Sequence, residues 1–145
     1  MKAPIRQRGV GLLDAMVALA ILAFGTLAMT RLQVRLVAQS TESQNRIVAA
    51  QIADQLFSLA IVDPDHASCY THAPVASDCP EANPARAATS NWAAEAATRL
   101  PGFKSASSVL NAGQLTVTLT WSGKSVQEGQ APDSHQIVMT SDVRP

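Results

Sequence analysis

The sequence predicts an α+β protein in which a long N-terminal helix carries a small head with an antiparallel sheet. Three observations predict this class. An apolar run extends from Val10 to Met29, apolar residues then recur at spacings of three or four until about Val62, and a period of two follows from Leu115 to Trp121. We expect four segments: a basic leader (1–9), a hydrophobic membrane helix (10–30), its amphipathic continuation (31–62) and a globular head (63–145).

The composition narrows the possible function classes. The 145 residues suffice for one compact domain, with 47% apolar and only 15% charged residues. The chain is therefore neither charged enough nor apolar-poor enough for overall disorder. Its 11 basic residues balance 11 acidic ones, with no basic patch beyond the N-terminus, so no nucleic-acid partner is expected.

The N-terminus combines a basic leader with an apolar helix. Three basic residues and no acidic one precede Gly9, and the 20 residues from Val10 to Met29 contain one charged side chain, Asp14. About 20 apolar residues span the ~30 Å hydrocarbon core of a bilayer. The run exceeds the apolar region of a secretory signal peptide, and no small-residue cleavage site followed by a loop comes after it. A membrane span fits better, with the leader cytoplasmic and the remainder outside.

Asp14 is unusual within this span. A carboxylate costs about 2.5–3.5 kcal/mol at the centre of a membrane helix and less near its ends. An ionisable residue in a span is a functional hypothesis that needs a partner. An α-amino group freed by cleavage just before Val10 would provide that partner.

These N-terminal residues resemble those of a type IV prepilin. The family pattern is a short basic leader ending in glycine, followed by an apolar run that usually begins Phe-Thr-Leu-Ile-Glu. Here Gly9 is followed by Val10-Gly11-Leu12-Leu13-Asp14. The resemblance implies that prepilin peptidase cuts after Gly9 and methylates the new amine of Val10, which replaces the usual phenylalanine. It also implies that Asp14, in place of the family's glutamate, acts in assembly.

Beyond Met29 the apolar residues narrow to one helical face. No proline interrupts the pattern before Pro64, so we predict one helix from Val10 to about Val62. The apolar face consists of Leu32, Leu36, Val37, Val48, Ile52, Leu56 and Leu59.

A loop and a short helix are predicted next. Residues 63–90 hold four prolines and both cysteines, which is typical of a loop. Ser90 or Asn91 can cap a helix that ends at Leu100, before Pro101-Gly102.

A small sheet is predicted to complete the head. Residues 115–121 alternate apolar side chains with threonine, which indicates a half-buried strand. A turn at 111–113 makes 107–110 a weak partner strand, and a loop at 122–133 leads to a last strand at about 134–140.

Within the prepilin family, the head resembles a PilV-type minor pilin. The shared features are two cysteines after the long helix, an Ala-rich helix with Trp92 that ends at Leu100-Pro101-Gly102, and a strand that ends at Trp121. The resemblance implies a type IV pilin-like fold and incorporation into a type IV pilus, in a tip or initiation complex that supports assembly. The I-type minor pseudopilin of type II secretion is similar at the N-terminus. An uncleaved, single-pass periplasmic binding module is the alternative from another class.

The resemblance also implies partners and a location. The expected partners are the prepilin peptidase, other minor and major pilins, the inner-membrane assembly platform and a pilus-tip adhesin. The expected location is the inner membrane, crossed once with the head in the periplasm, and then the pilus at the cell surface.

The two cysteines, Cys69 and Cys79, enclose nine residues. If the head lies in an oxidising compartment, we expect them to form a disulfide worth roughly 2–3 kcal/mol. The alternatives are free thiols, or a zinc site that adds His66 and His72, whose spacing matches no strong paired motif. We expect no metal and no other cofactor.

No catalytic constellation accompanies the histidines, so an enzyme is not expected. His66, His72 and His135 are interpreted as surface-loop residues, and Trp92 and Trp121 as core residues.

The charged residues beyond the N-terminal span do not predict a specific binding or catalytic site. Asp63 and Asp65 are too few for a calcium site, and we interpret them as part of a turn. Three residues of the amphipathic helix continuation (31–62) are expected to be solvated or to pair with neighbouring subunits: Glu42, Arg46 and Asp54.

Overall fold

The computed structural model describes residues 10–74, 76, 78–123 and 132–144. Two α-helices, one 3₁₀ helix and three strands are formed in these ranges: α1 (Val10–Val62), the 3₁₀ helix (Pro64–Tyr70), α2 (Pro84–Arg99), β1 (Phe103–Asn111), β2 (Gln114–Ser122) and β3 (Ser134–Asp142). The prediction of an α+β chain with a long N-terminal helix and a small antiparallel sheet is confirmed. The predicted leader (1–9) and most of the predicted loop before β3 lie outside the described residues.

Helix α1 follows the predicted bounds, and it contributes to two compact units. One unit, here called the stem, ends at Gln39, and the other, the head, begins at Ser40. The helix ends at Val62, because Pro64 disfavours helical geometry at Asp63, whose φ and ψ are −128° and 66°. The head unit therefore includes residues 40–62 of α1 together with the predicted head at 63–145.

The part of α1 within the head unit buries one face. Its buried residues recur at spacings of three and four: Ala49, Ile52, Ala53, Leu56, Phe57 and Ala60. Ile52 and Leu56 belong to the predicted face, whereas Leu59 from that face is 43% exposed. Alanines occupy half of the buried positions, and their small side chains allow close approach of the neighbouring elements.

Helix α2 begins earlier than predicted, so the caps proposed at Ser90 and Asn91 are wrong. The side-chain oxygen of Asn83 accepts a hydrogen bond from the amide of Ala85 at 2.9 Å. Pro84 takes the first helical position, where a missing N–H costs nothing. Ser90 instead lies inside the helix and donates its hydroxyl to the carbonyl oxygen of Arg86 at 3.0 Å.

The three strands form an antiparallel sheet in the order β1-β2-β3. The predicted turn connects β1 to β2 through Ala112 and Gly113, whose φ values of 50° and 80° are typical of a two-residue type I′ turn. β1 is longer than the predicted 107–110, because it pairs with β2 from Phe103 to Asn111 despite its weak alternation.

The central strand β2 supplies the sheet's contribution to the core. Leu115, Val117, Leu119 and Trp121 are each 0% exposed, as the period of two predicts. The threonines between them face the other side, where Thr116 and Thr140 are hydrogen-bonded across the strands at 3.1 Å. One face of the sheet therefore packs on the core of the head unit.

Candidate functional site

The stem unit exposes large apolar side chains along its helix. Leu12 is 70% exposed and Phe24 74% exposed. Among the described residues, α1 is the one helix long and apolar enough to cross a membrane, and its apolar window near the N-terminus has no burial. Contiguous apolar surface of this length marks a membrane or protein interaction site.

Asp14 lies on this apolar stem, one helical turn beyond Val10. Its side chain is exposed, and no described basic side chain forms an ion pair with it. Gly9 lies outside the described residues. Cleavage after Gly9, methylation of Val10 and the pairing of Asp14 therefore stay predictions.

Within the head unit, Glu42 connects α1 to the sheet. The indole N–H of Trp121 donates to Oε2 of Glu42 at 3.3 Å, and Nδ1 of His135 lies 3.3 Å from Oε1. Arg46 Nε donates to the same Oε1 at 3.1 Å. The rings of Trp121 and His135 stack with centroids 6.1 Å apart. The carboxylate thus joins residues of α1, β2 and β3.

This cluster corrects two expectations. Glu42 is expected from its sequence to be solvated or to pair with neighbouring subunits, but it has partners inside the head unit and its side chain is only 20% exposed. The Arg46 side chain, with the same expectation, is 61% exposed, as expected for a solvated residue. His135 was interpreted as a surface-loop residue, but it lies in β3 opposite Trp121. The period of two that groups His135 with Ile137 and Met139 was a sequence signal for this placement.

Trp92 attaches α2 to α1. It is 4% exposed, and its indole N–H donates to the carbonyl oxygen of Ile52 at 2.7 Å. His72 contacts the indole edge-to-face with ring centroids 6.3 Å apart. A buried indole needs a partner for its N–H, which the backbone of α1 supplies. The predicted core role of Trp92 is confirmed, and His72 is half-buried rather than a surface-loop residue.

Cys69 and Cys79 are joined by a disulfide. The segment around it is attached to the neighbouring elements, because Thr89 donates to the carbonyl oxygen of Cys69 at 3.2 Å and Arg86 to that of Cys79 at 3.2 Å. Both sulfurs are therefore engaged with each other, which leaves no thiolate for the zinc arrangement with His66 and His72. Among the described residues, no group of three or more potential ligands could hold a metal ion.

Removing this disulfide should destabilise the head unit measurably. We expect the double variant Cys69→Ala/Cys79→Ala to lose about 2–3 kcal/mol of unfolding free energy, because the unfolded chain regains the entropy of an open loop. Urea denaturation of the full chain in a fixed detergent measures this loss from the midpoint. The reduced wild-type protein is the matched control and should show a similar loss. Equal midpoints for all three samples would contradict a stabilising role.

A second local pair lies where α1 ends. His66 Nδ1 is 2.8 Å from Oδ1 of Asp63, and this hydrogen bond, with the carboxylate's charge, raises the pKa of His66. The pair therefore stabilises the fold at pH values below the unfolded histidine's pKa of about 6.5, and this contribution is lost as the pH rises through the folded pKa. Asp63 thus does more than form the predicted turn.

The His66 titration tests this pairing. We expect an NMR titration of the imidazole to give a midpoint above the ordinary 6.5, and we expect Asp63→Asn to lower it. Asp65→Asn is the control, because Asp65 contributes the smallest effect on the pKa of His66 and should change the midpoint less. A midpoint that Asp63→Asn leaves unchanged would show that the pair does not form in solution.

Two further features of the head unit are suited to contacts with other chains. A solvent-open groove of about 600 Å³ lies between α1 and α2, lined by Gln55, Ser58, Leu59, Val62, Ala88, Asn91, Trp92 and Glu95. Among the described strands, β3 pairs with β2 alone, so no described strand covers its other edge. By contrast, β1 is bridged at Ser108 by His72. Open strand edges and apolar grooves are common protein interaction surfaces.

The chain matches no protein-family model, no curated protein and no solved structure. Its function therefore has to be inferred from its own residues.

Proposed function

We propose that this protein is a minor pilin of the PilV type, processed by prepilin peptidase and incorporated into a type IV pilus, in a tip or initiation complex. One observation carries the proposal. A basic leader ends at Gly9, and an apolar helix with an exposed surface follows at once and bears an acid, Asp14, at its fifth residue. A plain membrane anchor requires neither the glycine nor the acid.

The proposed mechanism is packing, with cleavage as its trigger. The leader carries three of the 11 basic residues, so the mature side chains count 8 basic against 11 acidic ones. Cleavage also creates an ammonium group on Val10, four residues and about 6 Å along the helix from Asp14. Mutual neutralisation lowers the cost of burying both charges, in the same chain or between adjacent chains. Apolar stems can then pack side by side in a filament.

The head unit supports an extracytoplasmic location. Disulfides persist in oxidising compartments such as the periplasm and the cell surface, and Cys69–Cys79 is such a bond. The protein would first cross the inner membrane once, with its head in the periplasm, and then leave through the inner-membrane assembly platform. The groove between α1 and α2 and the edge of β3 away from β2 offer surfaces for other minor and major pilins or for a tip adhesin.

The N-terminus of protein recovered from sheared filaments tests the proposal. We expect mass spectrometry to find a chain that begins at Val10 and carries one methyl group on its amine. The Gly9→Val variant should remain an uncut precursor in the membrane, because the small residue before the cut is lost. Intact Met1 on filament-borne protein would refute processing.

The two alternatives give different outcomes. An I-type minor pseudopilin would share the cleaved N-terminus, since the N-terminal resemblance extends to that family, but its deletion would abolish type II secretion and leave pili intact. An uncleaved periplasmic binding module would keep Met1 and stay in the membrane fraction. Pilus counts and secretion assays on a deletion strain therefore separate the first alternative, and the N-terminal mass separates the second.

A further inference from the structure

The stem unit carries two arginines where its apolar run ends. Arg31 directly follows Thr30, and Arg35 lies about one turn further on, so both side chains leave the same helical face. No described acidic side chain forms an ion pair with either arginine. Like charges at this spacing destabilise a helix, so the pair is suited to an anion that both can contact.

The two arginines share a shallow concavity with apolar side chains of the preceding turns. It measures about 410 Å³ and is lined by Phe24, Leu27, Ala28, Arg31, Leu32 and Arg35. Ala28 stands between Phe24 and the arginines, and its small side chain leaves space on this face. The concavity therefore has an apolar end at Phe24 and a cationic end at Arg35.

These two ends fall at different depths in a membrane. If residues 10–30 fill the ~30 Å hydrocarbon core, Arg31 lies at the boundary with the head groups. Phe24 then lies about 10 Å deeper along the helix. Arginine side chains near the end of a span extend toward the head groups, and guanidinium groups bind phosphate through paired hydrogen bonds. The order of apolar and cationic groups thus matches the order of acyl chain and phosphate in a lipid.

We propose that Arg31, Arg35 and the concavity over Ala28 bind an anionic phospholipid, with its phosphate between the two guanidinium groups. This rests on the membrane insertion of the stem that the proposed function includes, but not on cleavage after Gly9 or on entry into a filament. A net negative head group is preferred, because the cationic group of a zwitterionic lipid would be repelled by the arginines. The acyl chain lies over Ala28, so free phosphate is a poorer ligand.

Native mass spectrometry of the full chain in neutral detergent micelles tests the site. The probes are phosphatidylglycerol and phosphatidylcholine with identical acyl chains. We expect the wild-type protein to bind phosphatidylglycerol in preference to phosphatidylcholine. The ratio of the two should fall on the order of fivefold for each arginine removed, and about thirtyfold in Arg31→Gln/Arg35→Gln. Arg46→Gln is the matched control and should keep the preference, because Arg46 is paired with Glu42 at 3.1 Å. An unchanged preference in the double variant would overturn the proposal.

A second variant distinguishes binding of the whole lipid from binding of its phosphate alone. Ala28→Phe retains both arginines but fills the concavity. It should therefore weaken phosphatidylglycerol binding and leave the binding of inorganic phosphate unchanged. No effect of Ala28→Phe, or displacement of the lipid by inorganic phosphate at equal concentration, would reduce the site to a simple anion contact and refute the lipid. If Arg31→Gln/Arg35→Gln instead lowers self-association without any lipid preference in the wild type, the partner is a carboxylate of a neighbouring chain. The N-terminal mass is independent of all these results, so this proposal and the proposed function can fail separately.

Discussion

Replacing Trp121 with alanine is expected to destabilise the head unit strongly. Trp121 is 0% exposed and is among the largest fully buried side chains of the described residues. Truncation of a buried tryptophan costs about 3–5 kcal/mol through lost burial and the cavity left behind. Small domains have only about 5–15 kcal/mol of total stability, so this loss is large. The variant also deprives Oε2 of Glu42 of its indole donor. Urea denaturation of the full chain, followed by circular dichroism, measures the effect.

Two further variants show which part of the Trp121 effect is packing. Trp121→Phe keeps an aromatic ring in the core but removes the N–H to Glu42, so it should cost clearly less than Trp121→Ala. Val138→Ala is the surface control, since Val138 lies on the neighbouring strand β3 and is 53% exposed. Its cost should stay within about 0.5 kcal/mol, as for most surface changes. A Trp121→Ala variant no less stable than Val138→Ala would contradict the burial of the indole.

The elements that could be predicted are those whose signal is local. Helix α1 is visible in sequence because its apolar spacing continues without proline from Val10 to Val62. β2 is visible because its alternation follows the pleat. The predicted start of α2 is too late because Asn83-Pro84 lies in a proline-rich segment typical of a loop, although asparagine followed by proline is also a helix-start signal. The predicted range of β1 is too short because pairing with β2, rather than the strand's own composition, determines where β1 begins and ends.

The contacts around Glu42 show why pairs of distant residues cannot be predicted from a sequence pattern. Glu42 and Trp121 are 79 positions apart, and no pattern in the sequence links them. A charged residue on a helix is usually solvated, so the expectation for Glu42 followed the general rule. The contact arises because α1 passes the end of the sheet where Trp121 and His135 lie side by side. Asp14, by contrast, could be singled out at once, because a lone acid in an apolar run is conspicuous without any tertiary contact.

Replacing Asp14 with alanine is expected to block filament entry without affecting processing or membrane insertion. The span becomes more apolar, and the leader and Gly9 are unchanged, so cleavage and retention in the membrane should be normal. In the membrane, the ammonium of Val10 lies at the end of the span, where water can solvate it. In a filament core it would be buried without its carboxylate, and removing one partner of a buried pair costs about 3–5 kcal/mol. Incorporation should therefore fall by more than about a hundredfold, measured as subunit per purified filament.

The matched control for Asp14 is Asp14→Glu, which keeps the negative charge and restores the residue usual in type IV prepilins. It should enter filaments at close to the wild-type level, because one more methylene still allows the carboxylate to reach an amine one turn away. Asp14→Asn, nearly isosteric but neutral, should behave like Asp14→Ala if charge neutralisation is what assembly requires. Wild-type incorporation of both neutral variants would show that the acid is incidental. The uncleaved membrane-anchored module would then become the better explanation of the stem, because a carboxylate near the end of a span, four residues after Val10, costs less than one at its centre.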